Sequence, residues 1–378
     1  ILTMALTNFA ALTAEQKIVW SRDVWQDARD KMFIDKFTGT DENSVIQRIT
    51  ELTKTERGEI VLMHLLADLT GDGIVGDNER EGNEEEMKSY TDQITIDLIS
   101  HGVRQKGKLA EQKTVIKFRE YARDRLSYWL ANRMDQLAFL TMSGIGYDFN
   151  TDGSPRTEAA FSQLAFAADI SAPTTNRHVR VKEATGAYDG LDAGNTAADD
   201  MGPLTYEAIV DLGTEAKVRY IKPLMAGGKE YYVLFIRPEA LAQLKKDADF
   251  QRAVITGLPR SEQNPFFTGG TVTVDGMVLH EHRLVYNTKG AAAAAKWGSA
   301  GNTDGSRALL CGAQAMGMAD LSNPEWSEKL FNYDSSPGIN VDKMFGMLKP
   351  QYETIYHVDA NGAPLREDFG VMAVDHTI

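Results

Sequence analysis

The feature that most constrains the fold is a helix-forming stretch at residues 110–144, AEQKTVIKFREYARDRLSYWLANRMDQLAFLTMSG. It contains no proline, and its one glycine stands at the end, where a helix C-terminus is expected. One face carries Val115, Arg119, Ala122, Leu126, Trp129, Arg133, Gln136 and Leu140, and Leu130, Met134, Leu137 and Ala138 widen its apolar stripe. A helix of about 30 residues would be about 45 Å long. The pattern therefore predicts a spine along which other elements pack.

The residues before this helix divide into two segments. The first, residues 1–57, is predicted to form an extended arm carrying short helices. Its helical spacing comes from Val19, Trp20, Val24, Ala28, Met32 and Phe33. The second, residues 58–105, contains two β-prone runs joined by a long connection rich in Gly, Asp and Asn. That pattern predicts a projecting hairpin with a large loop.

After the spine helix the pattern is mixed. Residues 145–204 are polar and rich in Gly, Ala and Asp, which predicts a loop-rich insertion. Residues 205–335 predict a helix, a buried strand leading into a second helix at Pro238, and a hairpin around an Asp-Gly turn at 275–276. Further β-prone runs extend to the tail DFGVMAVDHTI. Helices and strands without a regular βαβ repeat favour an α+β fold.

Residues 68–79, DLTGDGIVGDNE, match two binding signatures. In the spacing of an EF-hand, Asp68, Thr70, Asp72 and Glu79 would supply oxygen ligands for calcium, and Gly73 would supply the turn. The flanking segments, however, do not predict the two long helices of an EF-hand. The inner GDGIVG is also a G-x-G-x-x-G, but the surrounding carboxylates would repel a pyrophosphate. A calcium site remains open as the alternative, and a nucleotide site is disfavoured.

Charge and cysteine content argue against several function classes. The net charge is −14, whereas a protein that grips nucleic acid by its phosphates normally presents a basic face. Cys311 is the only cysteine, which excludes an intrachain disulfide and fits folding in a reducing cytoplasm. No apolar run reaches the roughly 18 residues needed to cross a bilayer, and the first residues make a poor signal peptide.

No set of residues stands out as a catalytic centre. His280 and His282 share one face of a β-prone run, but no third metal ligand is visible nearby. Cys311 lies among apolar and small residues, which predicts an inert buried thiol. We therefore expect no catalytic residues, no cofactor and no bound metal, with the 68–79 loop as the weak metal candidate.

Several segments, in this order and spacing, resemble one known family. They are WSRDVW (20–25), IQRITELTKTERGE (46–59), GDGIVGDNEREGNEE (71–85), the spine helix (111–139), GLPRSEQNPFFTGGTVTVDGMVLHEHRLV (257–285), RALLCGAQAMGMA (307–319) and DFGVMAVDH (368–376). The chain resembles the major capsid proteins of tailed bacteriophages, specifically the N-four-like capsid family with the HK97-type fold. The resemblance is poor at about 145–205 and 291–302.

The resemblance implies a domain organisation. Residues 1–57 would be the N-terminal arm, which wraps a neighbouring subunit, and residues 58–105 the E-loop hairpin, which lies over another. Residues 106–204 would form the peripheral domain with the spine helix, and residues 205–335 the axial domain. Residues 336–378 would return to the peripheral domain as a strand and tail.

The resemblance also implies function and partners. Copies would form hexamers and pentamers of an icosahedral shell around double-stranded DNA, with scaffolding, portal and cement proteins as further partners and no membrane. The shell would be assembled in the host cytoplasm. The candidate intersubunit contacts are Leu62, Leu65, Leu66, Ile94, Ile96 and Leu98. The glycines of the 71–76 stretch would supply positive φ at tight bends, and its acids would keep an exposed tip hydrated. The competing hypothesis is a calcium-binding module or an enzyme that uses the 68–79 loop.

Overall fold

The computed structural model describes most of the chain. The described residues are 14–50, 60–66, 73–76, 78, 81–82, 84, 89–106, 118–257, 272–321, 323–332 and 335–378. Within them the α-helices are α1 (Ala14–Lys31), α2 (Phe118–Ser143), α3 (Tyr206–Val218), α4 (Pro238–Lys246) and α5 (Ala248–Gly257). Short 3-10 helices lie at Ile34–Phe37, Ala165–Asp169 and Thr175–Arg177.

Strands make up much of the rest of the described chain. The first nine are β1 (Thr38–Gly39), β2 (Ile46–Ile49), β3 (Ile60–Leu66), β4 (Ser89–Thr95), β5 (Asp97–Arg104), β6 (His178–Ala184), β7 (Ala187–Ala193), β8 (Leu224–Ala226) and β9 (Lys229–Ile236). The others are β10 (Val272–Val274), β11 (Met277–Glu281), β12 (Gly305–Cys311), β13 (Met316–Asp320), β14 (Glu325–Phe331), β15 (Ser336–Leu348), β16 (Gln351–Val358), β17 (Pro364–Asp368) and β18 (Val371–Thr377).

The strands form two large sheets and two separate hairpins. A six-stranded sheet has the order β1-β2-β13-β15-β14, with β5 also paired to β15. An eight-stranded sheet has the order β10-β11-β9-β12-β18-β6-β7, with β8 paired to β9. The pairs β16–β17 and β3–β4 each stand as a two-stranded sheet. This mixture of helices and sheets agrees with the α+β prediction.

The spine helix was predicted correctly in kind and in its end point. Helix α2 has 26 described residues, about 39 Å, and its last residue is Ser143. Its first half buries one stripe, including Ala122 and Leu126, against α1, β14 and β15. From Met134 onwards almost every side chain is buried, as expected for a helix segment that other elements surround. Residues 107–117, where the prediction began, lie outside the described part.

The described part of the arm contains the predicted helix, and one face of it packs on its own chain. Val24 and Ala28 are buried on the face of α1 that packs against α2 and β14, and Met32, the residue after α1, is buried too. Strand β2 then joins the six-stranded sheet beside β13. The apolar spacing in this segment predicted the helix correctly. The apolar stripe of α1 is buried against the spine helix of the same subunit, which removes it from water. Residues 1–13 and 51–59 lie outside the described part.

Two further expectations are corrected by the sheet order. Residues 145–204 were predicted to be a loop-rich insertion, yet β6 and β7 extend the eight-stranded sheet. Residues 336–378 were predicted to return to the peripheral domain as a strand and tail. Strand β15 joins the six-stranded sheet, whereas β18 lies inside the eight-stranded sheet, between β12 and β6. His178 and Asp375, which touch across β6 and β18, are 197 positions apart in sequence. Local pattern carries no information on pairing at such a separation.

Candidate assembly surfaces

The hairpin β3–β4 is antiparallel, as predicted, and it has two different faces. The register pairs Val61 with Ile94 and Leu62 with Gln93. Because side chains alternate along a strand, the odd-numbered positions of β3 share one face and the even-numbered positions share the other. Val61, Met63 and Leu65 are buried, whereas Ile60, Leu62 and His64 are exposed.

The buried face packs on the hairpin's own subunit. It forms a cluster with Ala319, Leu348, Tyr352 and Phe369. Two glycines in the six-stranded sheet, Gly317 in β13 and Gly346 in β15, allow the hairpin to pack closely against that sheet. A Cβ at Gly317 would lie 2.6 Å from the Met63 sulfur, and one at Gly346 would lie 2.3 Å from the Thr95 carbonyl oxygen.

Polar contacts fix the hairpin further. The Asp92 carboxylate accepts a hydrogen bond from the Gln351 backbone N–H at 2.7 Å and lies 3.3 Å from the Arg366 guanidinium. The hairpin base is thus held by its own subunit through one apolar face and one acidic side chain.

The predicted contact residues therefore separate into groups. Leu65 and Ile94 are fully buried within the chain and have no surface left for a neighbour. Leu62 and Leu98 are 48% and 49% exposed, and Ile96 is partly buried. The side chain of Leu66 lies outside the described part. Of the five candidates whose side chains are described, Leu62 and Leu98 offer the largest apolar surface to another molecule. Ile60 was missed, although its alternation with Leu62 could have revealed it.

The loop beyond the hairpin carries an exposed apolar pair. Gly73 and Gly76 have φ of 73°, as the sequence predicted, and they flank Ile74 and Val75. Val75 is 78% exposed. The glycines bend the backbone sharply enough to present these two side chains to solvent. The calcium candidates Asp68, Thr70, Asp72 and Glu79 lie outside the described residues.

The spine helix is tied to the eight-stranded sheet by a buried ionic cluster. Arg307 Nε and Nη2 donate to the two carboxylate oxygens of Asp375 at 2.7 and 3.0 Å, and Nη1 donates to the Ser143 carbonyl oxygen at 3.0 Å. His178 Nε2 lies 2.6 Å from Asp375 Oδ2. Burial alone would raise the pKa of Asp375, but Arg307 and the hydrogen bond to His178 lower it to about 2. The cluster joins α2, β12, β18 and β6.

A second buried cluster ties the β16–β17 hairpin to the 3-10 helix Thr175–Arg177, which leads directly into β6. Lys349 Nζ donates to Asp368 Oδ2 at 2.9 Å, and Arg177 Nε donates to the Asp368 carbonyl oxygen at 3.0 Å. Arg177 also lies 3.3 Å from Glu367. Since removing one member of a buried ion pair is far more costly than losing an exposed pair, both clusters resist separation of the elements that they join.

The histidines and the cysteine form packing contacts. The His282 ring stacks on Phe33 at 4.2 Å and on Phe139 at 5.2 Å, measured between ring centroids. Burial lowers the pKa of His282 to about 4. Burial also raises the pKa of the Cys311 thiol, as expected for an inert side chain.

Neither a metal cluster nor a membrane helix is found in the described part of the chain. There, no group of three or more His, Cys, Asp or Glu side chains is placed to hold a metal ion. Among the same residues, no helix combines the length and apolarity needed to cross a membrane.

Comparison with known proteins decides the family. The model of the phage capsid protein family matches residues 8–378. The chain is 46% identical over 375 residues to the major capsid protein of Pseudomonas phage KPP25, covering 97% of this chain and 96% of the relative. The chain belongs to the phage capsid protein family. It is a major capsid protein, a structural component of the virion that forms the shell of a phage.

The fold of this capsid protein is that of solved phage capsids. It is similar to the capsid of Ralstonia phage GP4, with a TM-score of 0.73, 24% identity and coverage of 99% of this chain and 96% of that one. The cyanophage Pam1 capsid matches with a TM-score of 0.67 and 17% identity, over 99% of this chain and 95% of that one. The capsid of Helicobacter pylori bacteriophage KHP30 matches with a TM-score of 0.60 and 14% identity, over 99% of this chain and 94% of that one. The capsid protein thus has the expected HK97-like fold. The comparisons lend no support to a calcium-binding module or an enzyme.

Proposed function

We propose that copies of this capsid protein assemble into hexamers and pentamers of an icosahedral shell that encloses double-stranded DNA. The observation that carries the proposal is the two-faced hairpin. One face is anchored in its own subunit, while Ile60, Leu62 and the tip residue Val75 are left exposed. Apolar surface of this kind is stabilised when another molecule covers it. In a shell, the available molecule is a second copy.

The two sheets support a proposal for the domain roles. Helix α2 and the six-stranded sheet would form the peripheral contacts between capsomers. The eight-stranded sheet with α3, α4 and α5 would form the axial contacts within each capsomer. Because β18 lies inside the eight-stranded sheet, it would belong to the axial domain and not to the peripheral domain. The buried clusters at Asp375 and Asp368 would carry load between these parts when packaged DNA presses outward.

The other partners come from the family resemblance. We propose scaffolding, portal and cement proteins as partners, with assembly in the host cytoplasm. The net charge of −14 suits a shell that confines DNA and later releases it. From the same resemblance we propose that the N-terminal arm, residues 1–57, reaches a neighbouring subunit.

The test removes the loop without disturbing the anchored face. Residues 67–88 are replaced by Asn-Gly, which closes β3 onto β4 with a two-residue turn. We expect a folded chain with unchanged far-UV circular dichroism that forms no closed shells in negative stain. Normal shells from this variant would refute the role of the hairpin.

A finer test changes only side chains on the exposed face. Ile60→Ser with Leu62→Ser should lower the yield of shells, since burying each side chain stabilises a contact by about 1.5–3 kcal/mol. His64→Ser, on the same face, is the matched control and should assemble normally. Equal yields from the two variants would show that this face is not a contact.

A further inference from the structure

One face of the spine helix is exposed and carries aromatic and basic side chains. Tyr121 and Tyr128 are 53% and 46% exposed, and Arg125, which lies between them, is exposed too. Residues three and four apart on a helix are neighbours, so the three side chains form a continuous row about 10 Å long. Ala122 and Leu126 point into the core instead. The helix therefore presents a row of polar-tipped side chains that its own core does not use.

Two cations from other elements extend this row. Arg283, which is exposed, follows strand β11, and its Nη2 donates to the Tyr128 hydroxyl oxygen at 2.8 Å. Lys36, also exposed, lies in the 3-10 helix that follows α1. Both cations are near the His282 ring, because their charges lower the pKa of His282 in addition to the larger effect of burial. We define the cationic stripe as Tyr121, Arg125, Tyr128, Arg283 and Lys36.

The cations of the stripe have no carboxylate partner in the described part of the chain. Within those ranges, none of Arg125, Arg283 and Lys36 forms an ion pair. Asp124 and Asp35, which adjoin two of them in sequence, each bind another arginine at 3.1 Å. The stripe is thus a local positive surface on a chain whose net charge is −14.

We infer that the cationic stripe binds the sugar-phosphate backbone of the enclosed double-stranded DNA. The inference deepens the proposed function and rests on it. Charge complementarity selects the occupant, since double-stranded DNA carries one negative charge per about 1.7 Å of its axis. Arginine and tyrosine side chains are common donors to phosphate oxygens. Because Arg283 donates to the oxygen of Tyr128, the hydroxyl hydrogen of Tyr128 stays free for a phosphate.

The stripe contacts phosphates without reading bases. A helix reads bases by entering the major groove, which is about 12 Å wide. Helix α2 cannot enter it, because α1 and β15 pack along the helix. Three cations in each copy make a weak contact, and many copies side by side add their contributions. Such contacts hold DNA against the shell without preventing its release.

The first test measures binding of a short fluorescent DNA duplex of arbitrary sequence to dissociated, full-length chains. Arg125→Gln with Arg283→Gln should weaken binding about tenfold at low salt. The slope of log affinity against log salt should fall by about 2, since each phosphate contact contributes about 0.9. Lys217→Gln with Lys246→Gln makes the same change in net charge at exposed positions on α3 and α4, and this control should bind as the wild type does.

The second test separates direct contact from general charge. Tyr121→Phe with Tyr128→Phe should weaken duplex binding several-fold without changing the salt slope, because it removes hydroxyl donors and no charge. Glu281→Gln should tighten binding, since it removes an exposed carboxylate two residues from Arg283. A polyglutamate peptide is the competing probe. If the stripe binds this peptide more tightly than the duplex at the same salt, the partner is an acidic protein and the inference is wrong.

The outcomes separate this inference from the proposed function. The stripe variants should keep the far-UV circular dichroism of the wild type and form normal shells in negative stain, because the stripe contacts DNA and not another subunit. Normal shells with weakened duplex binding only in these variants support the inference. Equal binding by stripe and control variants, no binding by the wild type at low salt, or shells lost only in the stripe variants overturn it and leave the shell function intact. A wild-type chain that stays monomeric at high concentration overturns both.

Discussion

Asp375→Asn should destabilise the capsid protein strongly, because it leaves a buried guanidinium without its counterion. Asp375 is fully buried, and both carboxylate oxygens accept hydrogen bonds from Arg307. Removing one partner of a buried ion pair costs about 3–5 kcal/mol. The free energy of unfolding is measured by urea titration of the dissociated chain at low concentration, where subunit contacts add nothing.

The matched control is Asp249→Asn. Asp249 pairs with Arg252 at 3.1 Å, but both side chains lie at the surface. An exposed pair of this kind contributes less than about 1 kcal/mol. If the two variants lose the same small amount of stability, the cluster at Asp375 does not hold the eight-stranded sheet and the spine helix together.

The pH dependence gives an independent measurement on the same residue. The pKa of Asp375 is lowered from 3.8 to about 2 in the folded state, which corresponds to about 2 kcal/mol. Because the folded pKa is depressed, this stability is present above pH 3.8 and is lost as the pH falls towards 2. The wild type should lose it in that window, and Asp375→Asn should not. Parallel curves for the two proteins would refute the assignment.

Three further predictions concern the core and the hairpin. Phe139→Ala should cost about 3–5 kcal/mol in urea unfolding, since Phe139 is fully buried against the rings of Phe33, Phe235 and His282; a loss near 1 kcal/mol would contradict this. Gly346→Ala should cost about 1–3 kcal/mol and expose the hairpin to proteases, because the new Cβ would meet the Thr95 carbonyl oxygen. Gly146→Ala, whose nearest neighbour would be the Asp148 side chain at 3.8 Å, is its control and should change little. His282→Phe should remove a loss of stability as the pH falls from 6.5 to 4, because the folded state lowers the pKa of His282 to about 4; we expect about 1–2 kcal/mol, reduced because the ring is partly exposed, and an unchanged pH profile would refute it.

Much of the hairpin could be predicted from sequence, but not which of its residues face outward. Two β-prone runs around a glycine-rich connection predicted β3, β4 and the positive φ of Gly73 and Gly76, but the second run also contains β5, which pairs with β15 in the six-stranded sheet. The six contact candidates were chosen for apolarity alone. Alternation already places Leu62 and Leu65 on opposite faces. Which face is buried depends on Phe369 and Tyr352, nearly 300 positions away.

The surface segment at residues 217–229 shows the same division. The cations at 217–229 are visible in the sequence, but their exposure and the stacking of Tyr220 on Tyr356 are not. The cluster at Asp375 carried no local signal either, since its members, Asp375 included, come from three strands and the end of the spine helix.

The sequence by itself determined the elements whose stabilising interactions are local. The apolar period and the glycine after Ser143 specify where α2 ends, and Thr205 and Pro238 mark the starts of two other helices. Only the tertiary structure decided that α1 folds back on α2, that β18 enters the eight-stranded sheet and that one hairpin face is covered. The physical reason is distance along the chain: helix periodicity and capping act within a few residues, whereas sheet order and burial depend on partners that the chain brings together only when it folds.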